Sequence, residues 1–154
     1  MSQKIVKLTR QECFDASMVG VLRMIESLGL QDKHGAKNST LQEKIGIQIL
    51  GAMGEMVVAK HLGIFWSRSV NTFHNVADIQ GGIEVRTVGK PSHRLMIRKD
   101  DNPSSTFFLV VPSPRPPVFR IVGSILGRDG MRDEFIDNPN GSGEAWFVAQ
   151  GALR

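Results

Sequence analysis

The sequence lacks several features that would assign it to a common class of protein. It contains a single cysteine, Cys13, so it has no internal disulfide, which suits a reducing compartment. No uninterrupted apolar run approaches the ~20 residues that span a bilayer, and the N-terminus has no apolar core of a signal peptide. We therefore expect a soluble, cytoplasmic protein without a membrane partner.

The sequence also lacks the motifs of several large enzyme families. It has no GxxxxGK(S/T) phosphate-binding loop, no GxGxxG after a strand, no HExxH and no paired CxxC. The 4 histidines show no spacing typical of zinc ligands, and no GxSxG elbow supports a serine hydrolase. Any chemistry must therefore come from other groups, of which the carboxylates are the most informative.

The composition is that of one soluble globular domain. The chain has 154 residues, of which 41% are hydrophobic and 22% are charged, so it is long enough to form a core. Lysine and arginine total 19 against 15 acidic residues, which gives a net charge of +4. This mild basic bias favours a polyanionic partner, although many basic proteins bind nothing acidic.

Two capping boxes predict two N-terminal helices. The first is Thr9–Glu12 (TRQE), and the apolar residues after it recur at helical spacing, so we expect a helix over about 10–28. The second is Thr40–Glu43 (TLQE), which predicts a helix that ends near Leu62. The first helix should pack against the core and carries no obvious chemistry.

The second helix carries three glycines and one unexpected acid. Gly46, Gly51 and Gly54 each cost about 1 kcal/mol relative to alanine, so together they predict close approach of another backbone. Glu55 has small or apolar residues three and four positions away, so it should point toward the protein. A buried carboxylate needs a partner or a metal, whereas a glutamate at the edge of the apolar stripe needs neither.

A run of β-like segments follows the helices. We expect strands at Ile64–Val70, 76–79, Ile83–Val88, Leu95–Arg98, Phe107–Val111, Val118–Leu126 and Ala145–Val148. This order predicts an α+β, sandwich-like fold in which two N-terminal helices pack on a central mixed β-sheet. No repeat or linker indicates a second domain, so residues 1–154 should form one domain.

The stretch most informative about chemistry is Asp78–Thr87 (DIQGGIEVRT). If the chain turns at the Gly-Gly pair, Asp78 and Glu84 lie opposite each other, about 4.5–5.5 Å apart. Like charges this close are destabilising unless a cation lies between them. Glu84 and Arg86 share one face of the strand. The stretch therefore indicates a divalent cation held by Asp78 and Glu84, or alternatively a solvated turn with an ordinary cross-strand ion pair.

Three carboxylates and one arginine make up the candidate site: Glu55, Asp78, Glu84 and Arg86. Hard oxygen ligands suit Mg²⁺ or Mn²⁺, which can activate water for phosphodiester hydrolysis. A basic cluster follows directly, where a nucleic-acid backbone would be held: Lys90, His93, Arg94, Arg98 and Lys99. The alternative is that this cluster is the polar rim of a β-hairpin.

Residues 45–90 resemble the core of the PD-(D/E)XK nuclease superfamily. In that family a helix glutamate is followed by an aspartate at a strand end and by E-x-K on the next strand. This chain presents Glu55, then Asp78, then Glu84-Val85-Arg86. The resemblance implies a restriction-endonuclease-like core in which Glu55, Asp78 and Glu84 ligate Mg²⁺ or Mn²⁺.

The chain departs from the family pattern at Arg86, which stands in the position of the family's lysine, and it has no proline before Asp78. An arginine can stabilise a phosphate or an oxyanion, but it cannot deprotonate water at neutral pH. Lys90 or Lys99 could replace the missing ammonium group from nearby. If the family's lysine acts through its positive charge, Arg86 can replace it. If the lysine acts through proton transfer, the site should be weak or inactive.

The resemblance implies a metal-dependent nuclease that acts on DNA, with RNA as an open alternative. Two other readings remain: a nucleic-acid-binding protein that kept the nuclease fold and lost catalysis, and an α+β protein whose acidic hairpin is only structural. Many such nucleases act as homodimers. The residues offered for a dimer interface are Phe119, Phe135 and Trp146.

Overall fold

The computed structural model describes residues 4–28, 39–70, 76–139 and 141–154. A short strand, β1 (Lys4–Lys7), precedes two long helices, α1 (Arg10–Ser27) and α2 (Leu41–Leu62). The remaining elements are β2 (Ile83–Thr87), β3 (Leu95–Ile97), β4 (Thr106–Pro112), β5 (Val118–Leu126), the one-turn helix α3 (Gly127–Gly130), β6 (Ile136–Asp137) and β7 (Ala145–Val148). Single 3-10 turns lie at Asp133–Phe135 and Gln150–Ala152.

Both long helices begin at the predicted capping boxes. Thr9 Oγ1 accepts a hydrogen bond from the Glu12 N–H at 3.2 Å, and Glu12 Oε2 accepts one from the Thr9 N–H at 2.7 Å. Thr40 and Glu43 make the same pair of contacts at the start of α2. Gly63 follows α2 with a φ of 67°, a left-handed conformation that glycine adopts without steric cost.

The strands form two sheets. The larger is a mixed sheet in the order β1-β5-β4-β2, in which β2 and β4 are parallel and the other pairs are antiparallel. The smaller is an antiparallel sheet in the order β3-β7-β6. The predicted α+β fold with a mixed sheet is thus confirmed, and the second sheet and β1 are additions to it.

The larger sheet separates two hydrophobic cores. α2 packs across one face and α1 packs on α2, and this core includes Val57 and Val85. The other face meets the smaller sheet, and that core includes Ile97, Phe107 and Leu109. Because side chains alternate along a strand, β2 directs Val85 to the helix side and Glu84 and Arg86 to the side of the smaller sheet.

Glycines permit two close contacts of the long helices. A Cβ on Gly54 would lie 1.7 Å from Thr87 Oγ1, so the missing side chain lets α2 approach β2. A Cβ on Gly20 would lie 2.5 Å from Ile49 Cα, so the α1 and α2 backbones also meet closely. The other two glycines of α2 have no such neighbour among the described residues. Of the three glycines in α2, only Gly54 has the predicted close neighbour, and this neighbour is the Thr87 side chain instead of another backbone.

The length and composition of α2 have a second consequence. α2 has 22 residues and contains an 18-residue stretch with a mean hydropathy of 1.2, so it could cross a membrane by length and composition alone. In this structure the part from Ala52 to Ala59 supplies its buried residues, which pack toward the sheet and α1. The core helix of a globular domain meets the same criteria, so this property assigns no location to the protein.

Two predicted strands are wrong. Ile64–Val70 forms an irregular segment, in which Arg68 has a φ of 55° that a strand does not accommodate. The strand predicted at 76–79 is reduced to a single bridge between Ile79 and Ile83, because the chain turns back at once.

The three aromatic residues offered for a dimer interface lie in or against the two cores. Phe119 is buried in the core on the helix side, and Phe135 and Trp146 pack against the other core. The large aromatic side chains that are exposed in the described part of the chain are Phe14 and Phe65. Phe135 and Trp146 keep part of their surface exposed, and the expected dimer interface stays a prediction.

Candidate functional site

Asp78 and Glu84 face each other across a tight turn. Ile79 and Ile83 exchange two backbone hydrogen bonds, of 3.1 and 3.3 Å, and this register makes Asp78 and Glu84 the next opposed pair. The turn between them contains Gly81–Gly82, with φ values of 90° and 73° that favour glycine. The opposition predicted from the Gly-Gly pair is present.

The opposed carboxylates change the protonation of Glu84. Burial raises the pKa of Glu84 to about 7, and the neighbouring Asp78 carboxylate adds to the rise while Arg86 opposes it. The Asp78 and Glu84 side chains lie within hydrogen-bonding reach of each other, and Asp78 Oδ2 also accepts the Val85 N–H at 2.8 Å. Two ionised carboxylates in this arrangement repel each other, so the pair favours a bound proton or a cation.

Arg86 joins β2 to the loop that follows β3. Its Nη2 donates to Asp101 Oδ2 at 2.7 Å, and its Nε donates to the Met96 carbonyl at 3.2 Å. Its Nη1 lies 3.5 Å from Glu84 Oε2, and the guanidinium lies 5.3 Å from the centre of the Phe107 ring. These contacts fix the guanidinium with one edge toward Glu84.

Asp101 is a member of the site that the sequence analysis missed. Besides binding Arg86, its Oδ2 accepts the Arg98 N–H at 2.7 Å and so closes the turn after β3. In the sequence nothing distinguishes Asp101 from the adjacent Asp100, so no signal could have identified it.

Glu55 is buried, with 5% of its surface exposed, as its small and apolar neighbours predicted. Both of its oxygens accept hydrogen bonds: Oε1 from Arg23 Nη1 at 2.6 Å, and Oε2 from Arg23 Nη2 at 2.8 Å and from Trp66 Nε1 at 2.9 Å. Burial raises the pKa of Glu55, and the Arg23 guanidinium opposes this rise. The three donors stabilise the ionised carboxylate.

Arg23 is the second member of the site that the sequence analysis missed. α1 was expected to pack against the core, and it also carries Arg23, which binds Glu55 and donates to the Ser69 carbonyl at 2.7 and 2.9 Å. A signal was present: Arg23 follows Val19 and Gly20 by four and three residues and so shares their buried helix face. A charged residue on a buried face requires a partner of opposite charge.

Asp78 is the one predicted carboxylate that acts electrostatically on both of the others. Its negative charge adds to the raised pKa of Glu55 and of Glu84. Glu55 belongs to the helix side of β2, whereas Glu84 faces the other side. Within residues 4–28, 39–70, 76–139 and 141–154, no three histidine, cysteine or acidic side chains form a ready-made metal site. The donors that face each other are the pair Asp78 and Glu84.

The whole cluster carries an excess of negative charge. It consists of four carboxylates and two guanidinium groups: Glu55, Asp78, Glu84, Asp101, Arg23 and Arg86. With every group ionised the formal charge is −2 (four negative and two positive groups). A divalent cation would neutralise this charge, and the raised pKa of Glu84 means that a proton on Glu84 would offset part of it.

An open cavity of about 570 Å³ adjoins the site. Its lining includes Glu84, the turn residues Gln80–Gly82, and Asn102 and Ser105 from the loop between β3 and β4. Phe65, from the segment after α2, lines it as well. The cavity gives a ligand direct access to Glu84.

The predicted basic cluster lies on both sides of β3, and its members are Lys90, His93, Arg94, Arg98 and Lys99. Arg94 pairs with Asp137 at 2.6 Å, and Lys99 pairs with Glu144 at 3.3 Å. Both pairs are at the surface, where such contacts contribute about 0–1 kcal/mol. They are therefore weak enough to be exchanged for phosphate contacts.

No family model matches the chain, and no curated protein and no solved structure is similar to it. The resemblance to PD-(D/E)XK nucleases therefore stays a prediction. The case for a function rests on the geometry around Asp78 and Glu84.

Proposed function

We propose that this protein is a nuclease that depends on a divalent metal and hydrolyses phosphodiester bonds in DNA, with a restriction-endonuclease-like core. The observation that carries the proposal is the opposed pair Asp78 and Glu84, in a cluster with excess negative charge beside an open cavity. Mg²⁺ commonly binds one or two carboxylates and completes its coordination with water and substrate phosphates. The donor set of this pair fits that chemistry.

The residues around the pair have distinct roles in this proposal. Asp78 and Glu84 hold the ion, which when bound supplies an activated water and neutralises charge on the phosphate. Arg86, whose Nη1 edge faces Glu84, stabilises negative charge on the scissile phosphate. Arg86 cannot accept the proton of the attacking water, so it takes over only the electrostatic part of the lysine's role.

Glu55 serves as a positioning residue in this geometry. Its carboxylate joins α1 to α2 through Arg23 and places a negative charge beside Asp78. Three hydrogen bonds from Arg23 and Trp66 leave its carboxylate one lone-pair position, on Oε1, for the predicted role of third metal ligand.

The DNA backbone is held by the basic segment around β3. Two exposed members of this segment, Lys90 and Lys99, can bind phosphates through their ammonium groups. Binding should therefore weaken as the salt concentration rises, which holds equally for RNA.

Cleavage assays with matched variants test the proposal. Supercoiled plasmid and single-stranded DNA are incubated with the protein and Mg²⁺ or Mn²⁺. Wild-type protein and Glu26→Ala, an exposed glutamate on α1, should cleave, whereas Asp78→Ala and Glu84→Ala should not. Cleavage that persists in Glu84→Ala would show that the activity comes from another centre.

A nucleic-acid-binding protein without catalysis is the second candidate. It is favoured by Arg86, since the guanidinium is held by Asp101 and the Met96 carbonyl and cannot act as a base. Salt-dependent DNA binding without cleavage under either metal would select this candidate. The absence of both cleavage and binding would leave the hairpin as a structural feature.

A further inference from the structure

The cavity beside Glu84 has the dimensions of a ligand site. Its volume of about 570 Å³ falls inside the range of roughly 300–1,000 Å³ that is common for pockets that bind small molecules. Its lining combines apolar groups, from Phe65 and Val76, with the amide side chains of Gln80 and Asn102. Such a lining suits a flat, partly polar molecule.

Phe65 is the most unusual part of this lining. Its side chain is 72% exposed, although a phenylalanine is normally buried. It precedes Trp66, which is buried and donates a hydrogen bond to Glu55. This contact fixes the position of the Phe65 backbone. An aromatic side chain that is exposed at the rim of a cavity offers its face for stacking.

The charge of the lining determines which part of a nucleotide can enter. Among the described residues that line the cavity, Glu84 carries the only charge, and none is a lysine or arginine. A phosphate inside the cavity would be repelled by Glu84, whereas an uncharged base would not. Gly81–Gly82 adds backbone without side chains, so a ligand can approach the turn closely.

We propose that this cavity receives a single unstacked nucleobase, which stacks on Phe65 and forms hydrogen bonds with Gln80 and Asn102. The phosphate attached to this nucleotide stays at the mouth of the cavity, where a divalent cation held by Asp78 and Glu84 would offset the repulsion by Glu84. The placement of that phosphate rests on the proposed nuclease function, whereas the base site does not. Because a base inside a duplex is stacked and paired, the protein prefers single-stranded DNA or unpaired ends over a blunt duplex.

Binding measurements without metal test this inference separately from cleavage. Fluorescence anisotropy of a labelled single-stranded oligonucleotide and of the same sequence as a blunt duplex is measured in EDTA. Wild-type protein should bind the single strand more tightly than the duplex. Phe65→Ala should lose about 5- to 100-fold in affinity for the single strand and little for the duplex, and Phe65→Trp should retain affinity.

Phe14→Ala is the matched control. Phe14 is 61% exposed on α1 and does not line the cavity, so its removal should leave both affinities unchanged. Equal loss in the Phe14 and Phe65 variants, or equal affinity for single strand and duplex, would overturn the base site. Both variants change exposed side chains, and circular dichroism checks that they fold.

The outcomes separate this inference from the proposed function. If metal-dependent cleavage is unchanged in Phe65→Ala and is equal for single strands and duplexes, the base site is refuted and the proposed nuclease function is retained. Single-strand binding that depends on Phe65, without any cleavage, would retain the base site and refute the nuclease.

Discussion

Arg23 on α1 and Glu55 on α2 form a two-point ion pair, with both nitrogen–oxygen distances between 2.6 and 2.8 Å. Both side chains are largely buried, so the charges are removed from water together. The same guanidinium binds the Ser69 carbonyl, which lies on the stretch that leads from Trp66 toward Asp78. Arg23 therefore holds α1, α2 and the backbone at Ser69 together through a single guanidinium group.

The first prediction concerns this pair. Arg23→Met should lower the free energy of unfolding by about 3–5 kcal/mol at pH 7, because it leaves the Glu55 carboxylate buried without its cation. Chemical denaturation measures the change. Lys60→Met is the control. Lys60 Nζ lies 2.7 Å from Glu12 Oε2, but this ion pair is at the surface, so its removal should lower the free energy of unfolding by about 1 kcal/mol or less.

The double variant Arg23→Met/Glu55→Met sharpens this test. Removing both charges leaves an apolar contact, which often costs less than breaking the pair. The double variant should therefore be more stable than Arg23→Met alone. A double variant that is less stable than either single variant would show that the contacts to Trp66 and Ser69 matter more than the pair.

The second prediction concerns the dependence of stability on pH. Glu84 has a reference pKa of 4.5 and a folded pKa of about 7, so between these values the folded protein binds more protons than the unfolded chain. The stabilisation is complete below pH 4.5 and is lost as the pH rises through 7. At roughly 1.36 kcal/mol per pKa unit the loss would be about 3 kcal/mol, and solvent screening of this partly exposed group lowers it to about 2 kcal/mol.

Glu84→Gln tests that dependence in the presence of EDTA. Relative to wild type, the variant should gain stability as the pH rises from 4.5 to about 7.5, because it has no proton to lose at this position. Glu26→Gln, an exposed substitution on α1, is the control variant measured in parallel. A flat difference between Glu84→Gln and wild type would mean that Glu84 titrates as an ordinary exposed glutamate.

The third prediction concerns the metal. Since protons and a divalent cation compete for the same carboxylates, stabilisation by Mn²⁺ or Mg²⁺ should be small at pH 5.5 and larger at pH 8. Thermal unfolding with millimolar metal measures the effect. Asp78→Asn and Glu84→Gln should abolish the shift. An unchanged metal-induced shift in both variants would place the metal elsewhere.

The fourth prediction concerns the packing of α2 on β2. Gly54→Ala should destabilise by about 1–3 kcal/mol, because the new methyl group would meet the Thr87 side chain. Gly51→Ala should stabilise by up to about 1 kcal/mol, because its position is open and alanine favours the helix. Thermal or chemical unfolding compares the two variants. Equal effects would show that α2 can move away from β2 without cost.

The fifth prediction concerns Arg86. Arg86→Lys should destabilise by about 1–3 kcal/mol, since one ammonium group cannot bind Asp101, the Met96 carbonyl and the Phe107 face together. Cleavage should not increase, because the lysine would turn to Asp101. A faster nuclease with undiminished stability would instead show that arginine limits the activity of the natural protein.

Much of the local structure could be predicted from the sequence. The capping boxes at Thr9 and Thr40 and the strand Val118–Leu126 were predicted with the observed limits, because local hydrogen bonds and side-chain alternation specify them. The inward position of Glu55 followed from its helical neighbours. The opposition of Asp78 and Glu84 followed from one Gly-Gly turn.

The partners in the site could not be predicted equally well. Glu55 and Arg23 are 32 residues apart, and Arg86 and Asp101 are 15 apart, so their contacts depend on how the elements pack. The error at Ile64–Val70 has the same origin. That segment has the composition of a strand, but the Trp66 contact to Glu55 ties it to α2, and it forms no strand of either sheet.

Asp101 and Asn102 are neighbours in sequence with different roles in space. Asp101 binds Arg86, whereas Asn102 lines the cavity and accepts the Ser104 N–H at 2.9 Å. A displacement of this short loop would alter both the charge around Glu84 and the shape of the cavity. If the proposed ligand of the cavity and the proposed cation on the carboxylates are coupled through this loop, thermodynamic linkage requires that each change the affinity for the other by the same factor.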